Sequence, residues 1–466
     1  MIIWRFLSTK EVKTMTINEY EEIISTLKGI IDGTEYEGHV FTVGGCERDR
    51  MLKRGIKDVD IVIDLPNGGI EFAEYLEKNG HTAGHVVTYP HYGTAMFRLK
   101  DIPDKEIEAV QTRKECYRDM ETRNPETAFG TIMEDCMRRD FTINAIYRNV
   151  STGETLDLTG KSETDMADRV IDTCADPNII FREDPLRILR AIRFQSQLGG
   201  YGFQIRDRVQ DGMYNNRHRL NIISQERITD EFNKMLLSQD PDKAFKILSA
   251  MDILDYVIPM DCFIGKFEGP SYFVERYMFY LDDDYMSLKM MPKNLEVRLA
   301  FLFRNFTNAS VEKAMRIMKY SVSSIKEVLW YKDHDNLNNL TEDSLLRQTL
   351  YETKGNMDLF WNLLEMMRSK SDYRLPSSID YWREWAFDEI TKKVLYNESF
   401  KCMVNYKLPV DGFDVMNTLS SDGGPQIKRV FDHLIFLAFK DPMKMTKEFC
   451  IEEIEKYEKE HDLAQA

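Results

Sequence analysis

Apolar residues at helical spacing (Ile17, Tyr20, Ile23, Ile24, Leu27, Ile30 and Ile31) predict a leader plus a helix within residues 1–38. The period then changes. Phe41–Val43 and Val59–Ile63 are short strand signals, and an amphipathic segment starts between them, straight after Gly44-Gly45. A helix is expected over residues 70–78, and strands over Thr94–Leu99 and Ile107–Arg113. Residues 114–130 offer few core positions and read as a mobile loop with a turn at Asn124-Pro125. In Glu134–Val150 a charged cluster precedes an apolar helix expected from Thr142. Thr155–Leu158 and Val170–Thr173 are the last strand signals. From Glu183 onward almost everything reads helical, beginning with residues 183–198, 224–238 and 241–251. Strands and helices mix without regular long crossovers, which favours a small α+β sheet over a doubly wound one. The expected architecture is an α+β N-terminal head, a small mixed sheet with helices, followed by an all-α remainder.

The stretch 41–63, FTVGGCERDRMLKRGIKDVDIVI, concentrates the first candidate chemistry. Paired glycines at a strand end let the backbone turn sharply and approach a ligand, because no Cβ intervenes. Asp58 and Asp60 lie two apart, so a strand points both carboxylates to one side. Such a pair repels itself unless a cation lies between, and a hard oxygen-loving ion such as Mg²⁺ suits it and bridges to phosphate. Solvated strand ends also carry Asp-x-Asp, so this stretch alone does not choose between a metal site and an ordinary turn.

A second stretch, FREDPLRILRAIRFQSQLG (181–199), predicts a helix starting near Glu183 with Pro185 in its first turn. Arg187, Arg190 and Arg193 then form a ridge, opposite the core-facing Ile188, Leu189 and Ile192. Asp184 and Arg187 would be i,i+3 neighbours, which in an isolated helix is an ordinary first-turn acid with solvated arginines. The pair also matches the Watson–Crick edge of cytosine or adenine. A carboxylate accepts from the exocyclic amine while a guanidinium donates to the ring nitrogen. Uracil and guanine present a carbonyl and a ring N–H there, leaving both protein groups facing like partners. In a closed pocket that mismatch costs on the order of 2–4 kcal/mol.

Composition narrows the classes. The 466 residues suffice for two to four domains, and 30% charged beside 43% hydrophobic residues describes a globular chain. No apolar run approaches the roughly 20 residues of a membrane helix. The first residues, MIIWRFLSTKEVK, have neither the apolar length nor the cleavage site of a secretory signal, and Glu11 speaks against an organelle leader. The seven cysteines contain no C-x-x-C pair, so neither a zinc site nor a disulfide framework is indicated and a reducing, cytoplasmic setting fits best. A net charge of −16 looks wrong for a nucleic-acid binder, yet Arg138, Arg139, Arg182, Arg187, Arg190, Arg193, Arg217 and Arg219 cluster in the first half.

In order and spacing, GGCERD…KDVDIVI, RNPETAFGTIMEDCMRRDFTINAIY, the acidic Asp157–Asp165 element, EDPLRILRAIRF and ISQERITDEFNKML resemble the class II tRNA nucleotidyltransferases, the CCA-adding enzymes. The likeness covers residues from about 39 to 250 and is closer to the eukaryotic type. It departs at Ile63-Asp64 and at Leu198-Gly199-Gly200-Tyr201. The resemblance implies a nucleotidyltransferase head (1–175), a helical neck with the base-reading helix (176–260), a helical body (261–380) and a helical, tRNA-contacting tail (381–466). It further implies that Asp58 and Asp60 hold two Mg²⁺ ions, with Glu108 as a third carboxylate, and that Gly44, Gly45 and Arg48 cradle the triphosphate. Arg139 and Asp140 would contact the ribose, Asp184 and Arg187 the base, and Arg190 and Arg193 phosphates. Asp157–Asp165 and Ser224–Lys234 would be hinge and support. The implied reaction is addition of C, C and A to the tRNA 3′ end from CTP and ATP, with release of pyrophosphate, without a membrane and with contacts to the acceptor end and the elbow. A poly(A) polymerase, an enzyme adding only part of CCA, and an inactive RNA-binding relative are the rival readings. Residues 80–99 lack the glycine-basic-phenylalanine run of the first.

Overall fold

Thr16 caps the first helix. Its hydroxyl accepts from the Glu19 amide while the Glu19 carboxylate accepts from the Thr16 amide, and this reciprocal cap starts helix α1, Ile17–Ile31. The apolar stripe Tyr20, Ile23, Ile24, Leu27 and Ile31 is buried, as its spacing requires. The computed structural model describes residues 14–116, 126–263, 288–369, 377–419 and 423–461. These form two compact units, one within Lys10–Tyr285 and Lys313–Tyr320, the other within Met286–Glu312 and Ser321–Ala466.

The first unit is built on a seven-stranded sheet. In chain order its strands are β1 (Val40–Val43), β2 (Val59–Ile63), β3 (Val87–Tyr89), β4 (Thr94–Leu99), β5 (Ile102–Gln111), β8 (Ile146–Asn149) and β9 (Thr155–Asp157). Their spatial order is β3-β4-β5-β2-β1-β8-β9, and only β2 with β5 is a parallel pair. Helix α2 (Gly45–Met51) follows β1 directly, and α3 (Gly68–Lys78) crosses the sheet. At Gly69 the helix backbone lies so close to the sheet that a Cβ would come within 2.7 Å of the Gly93 carbonyl and 2.8 Å of Val110 Cα. The core beneath joins Tyr20, Ile23, Leu27 and Ile31 of α1 to Ile61, Phe72, Leu76, Phe97 and Ile107.

Three expectations are corrected here. Arg113–Cys116 (β6) and Glu126–Phe129 (β7) pair as an antiparallel ribbon where a mobile loop was expected, and Asn124-Pro125 lies outside the described residues. The helix expected from Thr142 is a single 3-10 turn, Thr142–Asn144, followed by β8. Ile146 and Tyr147 are both fully buried, because this strand is covered on both faces, so its apolar run is continuous rather than alternating. The helix expected over 183–198 is two helices, α6 (Pro177–Glu183) and α7 (Leu186–Gln197). Pro185 lacks an N–H and disfavours helical geometry in the residue before it, and Asp184 is accordingly extended at φ −132, ψ 97.

Between sheet and neck, α4 (Ile132–Met137) and α5 (Ser162–Asp168) lead to β10 (Val170–Ile171), which pairs in parallel with β11 (Gln204–Ile205). Helices α8 (Asp207–Asn216), α9 (Gln225–Leu236) and α10 (Pro241–Ala250) complete the first unit. On α9, the Thr229 hydroxyl donates to the Met318 carbonyl at 2.8 Å, so the segment Lys313–Tyr320 braces that helix. The second unit is helical, with Leu295–Leu302, Val322–Asp333, Asp343–Glu352, Met357–Arg368, Ser377–Tyr396, Pro425–Lys440 and Lys447–His461 among its helices. Among the described residues no helix is long and apolar enough to cross a membrane.

Candidate active site

The end of β1 turns at Gly44, whose φ of +89 is open to glycine and strained for other residues. A Cβ on Gly44 would stand 3.5 Å from Asp60 Oδ2 and 3.9 Å from Arg139 Nη1, so the turn runs beside both groups. The parallel register sets Asp60 of β2 directly opposite Glu108 of β5. Neighbours in register point to the same face, which brings two carboxylates together. Burial and the charge of Glu108 push the Asp60 carboxyl up to about 6, against the opposing pull of Arg139. Asp58 lies just before the strand and is exposed, with Lys57 Nζ 3.4 Å from its carboxylate. Among the described residues no three His, Cys, Asp or Glu side chains converge into a ready-made metal cluster. The donor set is two or three carboxylate groups with open positions, the kind of set that Mg²⁺ completes with water and phosphate oxygens.

On α2, Arg48 is buried, donating from Nε to Asp49 at 2.9 Å and from Nη1 to the Asn144 side-chain oxygen at 2.8 Å. Asn144 in turn donates to Asp140. Asp140 also accepts from Arg190 Nε at 2.8 Å and Nη2 at 2.5 Å, and this guanidinium holds its carboxyl down to about 2 despite burial. Arg48 and Arg190 both lie over the ring of Phe194, at 5.2 and 5.6 Å from its centroid.

A cleft of about 1250 Å³ opens here, lined by Arg138, Arg139, Asp140, Asp184, Arg187 and Arg190 together with Arg227 and Lys234 of α9. Asp184 Oδ1 accepts from the Leu186 amide at 3.1 Å, which fixes the acid at the break between α6 and α7. Arg187 donates from Nη2 to the Arg138 carbonyl at 2.8 Å. Its Nη1 is buried and has no hydrogen-bond partner among the described residues. The structure therefore brings Asp184, Arg187, Arg190, Arg139 and Asp140 to one cleft, and sets Gly44 and Asp60 beside Arg139, with Glu108 opposite Asp60. Arg193 does not join that cleft lining. It donates to Glu231 at 2.6 Å, which ties α7 to α9, and to Gln197 at 2.9 Å on its own helix.

Sequence reasoning passed over Asp135, Tyr147, Glu115 and Asn144, all of which contact the arginines named above. For Asp135 a signal existed. Arg138 and Arg139 follow it by three and four residues, the spacing of ion pairs on a helix face.

Two family profiles match the chain, a poly A polymerase head domain over residues 40–172 and a probable RNA and SrmB-binding site of polymerase A over residues 202–260. A mitochondrial CCA tRNA nucleotidyltransferase of Candida glabrata is 34% identical over 223 residues, covering 44% of this chain and 40% of the relative. The tRNA nucleotidyltransferase cca1 of Schizosaccharomyces pombe is 30% identical over 278 residues, covering 55% and 54%. Over these residues the chain is similar to CCA-adding enzymes and to the head domain of poly A polymerases. The matches span about half the length of these curated relatives, or less. Among solved structures, the Bacillus stearothermophilus CCA-adding enzyme in complex with CTP superposes with a TM-score of 0.70 at 21% identity, covering 94% of this chain and 99% of that one. That likeness is one of fold, a mixed sheet followed by helices.

Proposed function

We propose that this chain adds C, C and A to the 3′ end of tRNA from CTP and ATP, releasing pyrophosphate. The observation that carries this reading is the buried Nη1 of Arg187, which makes no hydrogen bond among the described residues and has the Glu183 carboxylate at 3.9 Å, in the same cleft as Asp184: a donor and an acceptor set out for an amino-bearing base. Asp184 accepts from the exocyclic amine and Arg187 donates to the adjacent ring nitrogen, so cytosine and adenine are accepted and uracil and guanine refused. Asp140 accepts a ribose hydroxyl beside Arg139. Gly44, Gly45 and Arg48 bind the triphosphate, and Arg190 reaches its phosphates from the far side of Asp140. Asp58 and Asp60, with Glu108, are the residues that would hold two Mg²⁺ ions, and the carboxylate donor set described above fits them. Bound there, Mg²⁺ supplies charge stabilisation to the attacking 3′ oxygen and to the leaving pyrophosphate. The protein's own part is positioning: it orients the α-phosphorus in line with the RNA hydroxyl and excludes water from the base pocket.

The four segments read from the sequence are carried forward as head, neck, body and tail, the tail meeting the tRNA elbow. Relatives named as mitochondrial in Candida glabrata and Saccharomyces cerevisiae make an organelle a possible site of action beside the cytoplasm. The test is incubation of tRNA lacking its 3′ end with labelled CTP, ATP or both, with products sized on a gel. Three added nucleotides support the reading. A long A tract would assign a poly(A) polymerase, addition of one nucleotide type alone a partial enzyme, and no addition an RNA-binding relative.

A further inference from the structure

Asp135 on α4 is fully buried, yet it accepts from six donors of four residues in two sets, Arg139 Nε at 3.3 Å among them. Its Oδ1 takes Arg138 Nε at 3.0 Å and Nη2 at 2.5 Å, and its Oδ2 takes Tyr147 OH at 2.7 Å and Arg139 Nη2 at 3.1 Å. The Arg113 amide reaches Oδ1 as well, at 3.2 Å. The hydroxyl of Tyr147 accepts in turn from Arg139 Nε at 2.8 Å, so phenol and carboxylate clamp one guanidinium from two sides. The two guanidiniums hold the Asp135 carboxyl down to about 2 in spite of its burial, so one fixed negative charge faces both.

The arginines lead in different directions. The free end of Arg139, Nη1, points to the Gly44 turn and thus to Asp60. Arg138, braced also by Glu115 at 3.1 Å, offers its main-chain carbonyl to Arg187. We infer that Asp135 is a positioning residue that sets two ends of the nucleotide site at once: Arg139 beside the catalytic acid, and, through the Arg138 carbonyl, Arg187 in the base pocket. This rests on the proposed nucleotidyl transfer. A buried charge pair with a purely structural role would lower activity only as far as it lowered the folded fraction. A positioning role makes a different demand, because the two branches can be cut separately. Tyr147 bonds Arg139 and the Oδ2 of Asp135, the oxygen that Arg139 shares, whereas Asp135 holds Arg138 as well through Oδ1.

The experiment compares Tyr147→Phe and Asp135→Asn with the wild-type full chain, reading KM and kcat for CTP on trimmed tRNA and the ratio of kcat/KM for CTP over UTP. Tyr147→Phe, which keeps the ring and both ion pairs, should raise KM about 10-fold with kcat and the C-to-U ratio close to wild type. Asp135→Asn leaves the buried Arg139 without its charge partner and loosens the Arg138 carbonyl. It should lower kcat/KM about 100-fold and reduce the C-to-U ratio about 10-fold. Thermal midpoints are recorded for both. A C-to-U ratio that stays at the wild-type value in folded Asp135→Asn overturns the inference, as does an unchanged KM in Tyr147→Phe. Should Asp135→Asn fail to fold, the KM of Tyr147→Phe decides. Should wild-type protein transfer nothing to tRNA, the reading of its reaction fails, and dissociation constants for CTP and UTP measured by calorimetry then decide the inference. Equal constants in wild type and variants, or no binding of CTP by the wild type, overturn it.

Discussion

Asp60→Asn separates what the acid costs the fold from what it gives the reaction. In the metal-free protein the Asp60 carboxyl stands at about 6 instead of 3.8, because burial and Glu108 disfavour its ionised form. About two pH units at 1.36 kcal/mol each is an upper bound of about 3 kcal/mol. Asp60 is only partly buried, so solvent screening reduces this to roughly 1–2 kcal/mol. The sign follows from proton binding. Below the unfolded value both states hold the proton and nothing is lost. Between about 4 and 6 the folded state binds more protons than the unfolded one, so stability falls as pH rises, and above 6 the whole deficit is present. Asparagine removes the charge at nearly constant volume, so it should stabilise the metal-free head by that amount at neutral pH and by nothing near pH 4. Trp330, Trp361 and Trp385 all lie outside the first unit, so the fluorescence of these residues reports the other one. Hydrogen exchange of the β2 and β5 amides, in chelator, at matched pH for both proteins, reads the head directly. The expected gain in protection is about 5- to 30-fold at about pH 7.5, vanishing near pH 4. Added Mg²⁺ should restore wild-type protection and leave the variant unmoved, while nucleotide addition by the variant is abolished. Equal protection at neutral pH, or a gain that does not change with pH, would refute the reasoning.

Asp184→Ala should lower C and A addition and raise the relative use of UTP and GTP, since the group facing their carbonyl is gone; kcat/KM for each of the four triphosphates measures this. Glu231→Gln strips a buried Arg193 of its charge partner and should cost the first unit about 3–5 kcal/mol, seen as earlier urea unfolding of α7 and α9 by hydrogen exchange. Gly69→Ala should destabilise the same unit by about 2–4 kcal/mol, because its Cβ would meet backbone atoms that cannot give way. Deleting the residues from about 380 onward should leave CTP affinity intact and weaken binding of trimmed tRNA, with a shallower dependence on salt; unchanged tRNA affinity would count against a tRNA-contacting tail.

Much of the head was legible because its signals are local. The Gly-Gly turn, the strand that carries Asp60 and the apolar stripe of α1 each depend on residues within a few positions, and the structure keeps all three, with Asp58 one residue ahead of that strand. Partnerships across the chain were less legible. Residue order suggests Glu108 as a candidate acid, but only the parallel register sets it opposite Asp60. Arg193 shares a ridge with Arg187 and Arg190 at helical spacing, yet α9 arrives on that ridge and claims it through Glu231. The break at Asp184 was written in Pro185, whose tolerance in a first helical turn masked its effect on the residue before. The β6–β7 ribbon escaped because exposed strands such as Glu126–Phe129 bury nothing, so no hydrophobic period betrays them.

The parallel pairing of β2 and β5 has a consequence for how freely this sequence can vary. The spacing of Asp60 and Glu108 is fixed by the hydrogen-bond ladder between their strands, and the chain joining them leaves the pair through α3, β3 and β4 before returning. That excursion can lengthen without moving either acid. Gly84, at φ +87 with open space around it, is where an inserted tag should be absorbed, and loop-closure entropy charges only about 0.6 kcal/mol for each doubling of loop length. Insertions at such a turn would slow assembly of the sheet, whereas a one-residue slip within either ladder strand would turn its acid to the opposite face and end the chemistry.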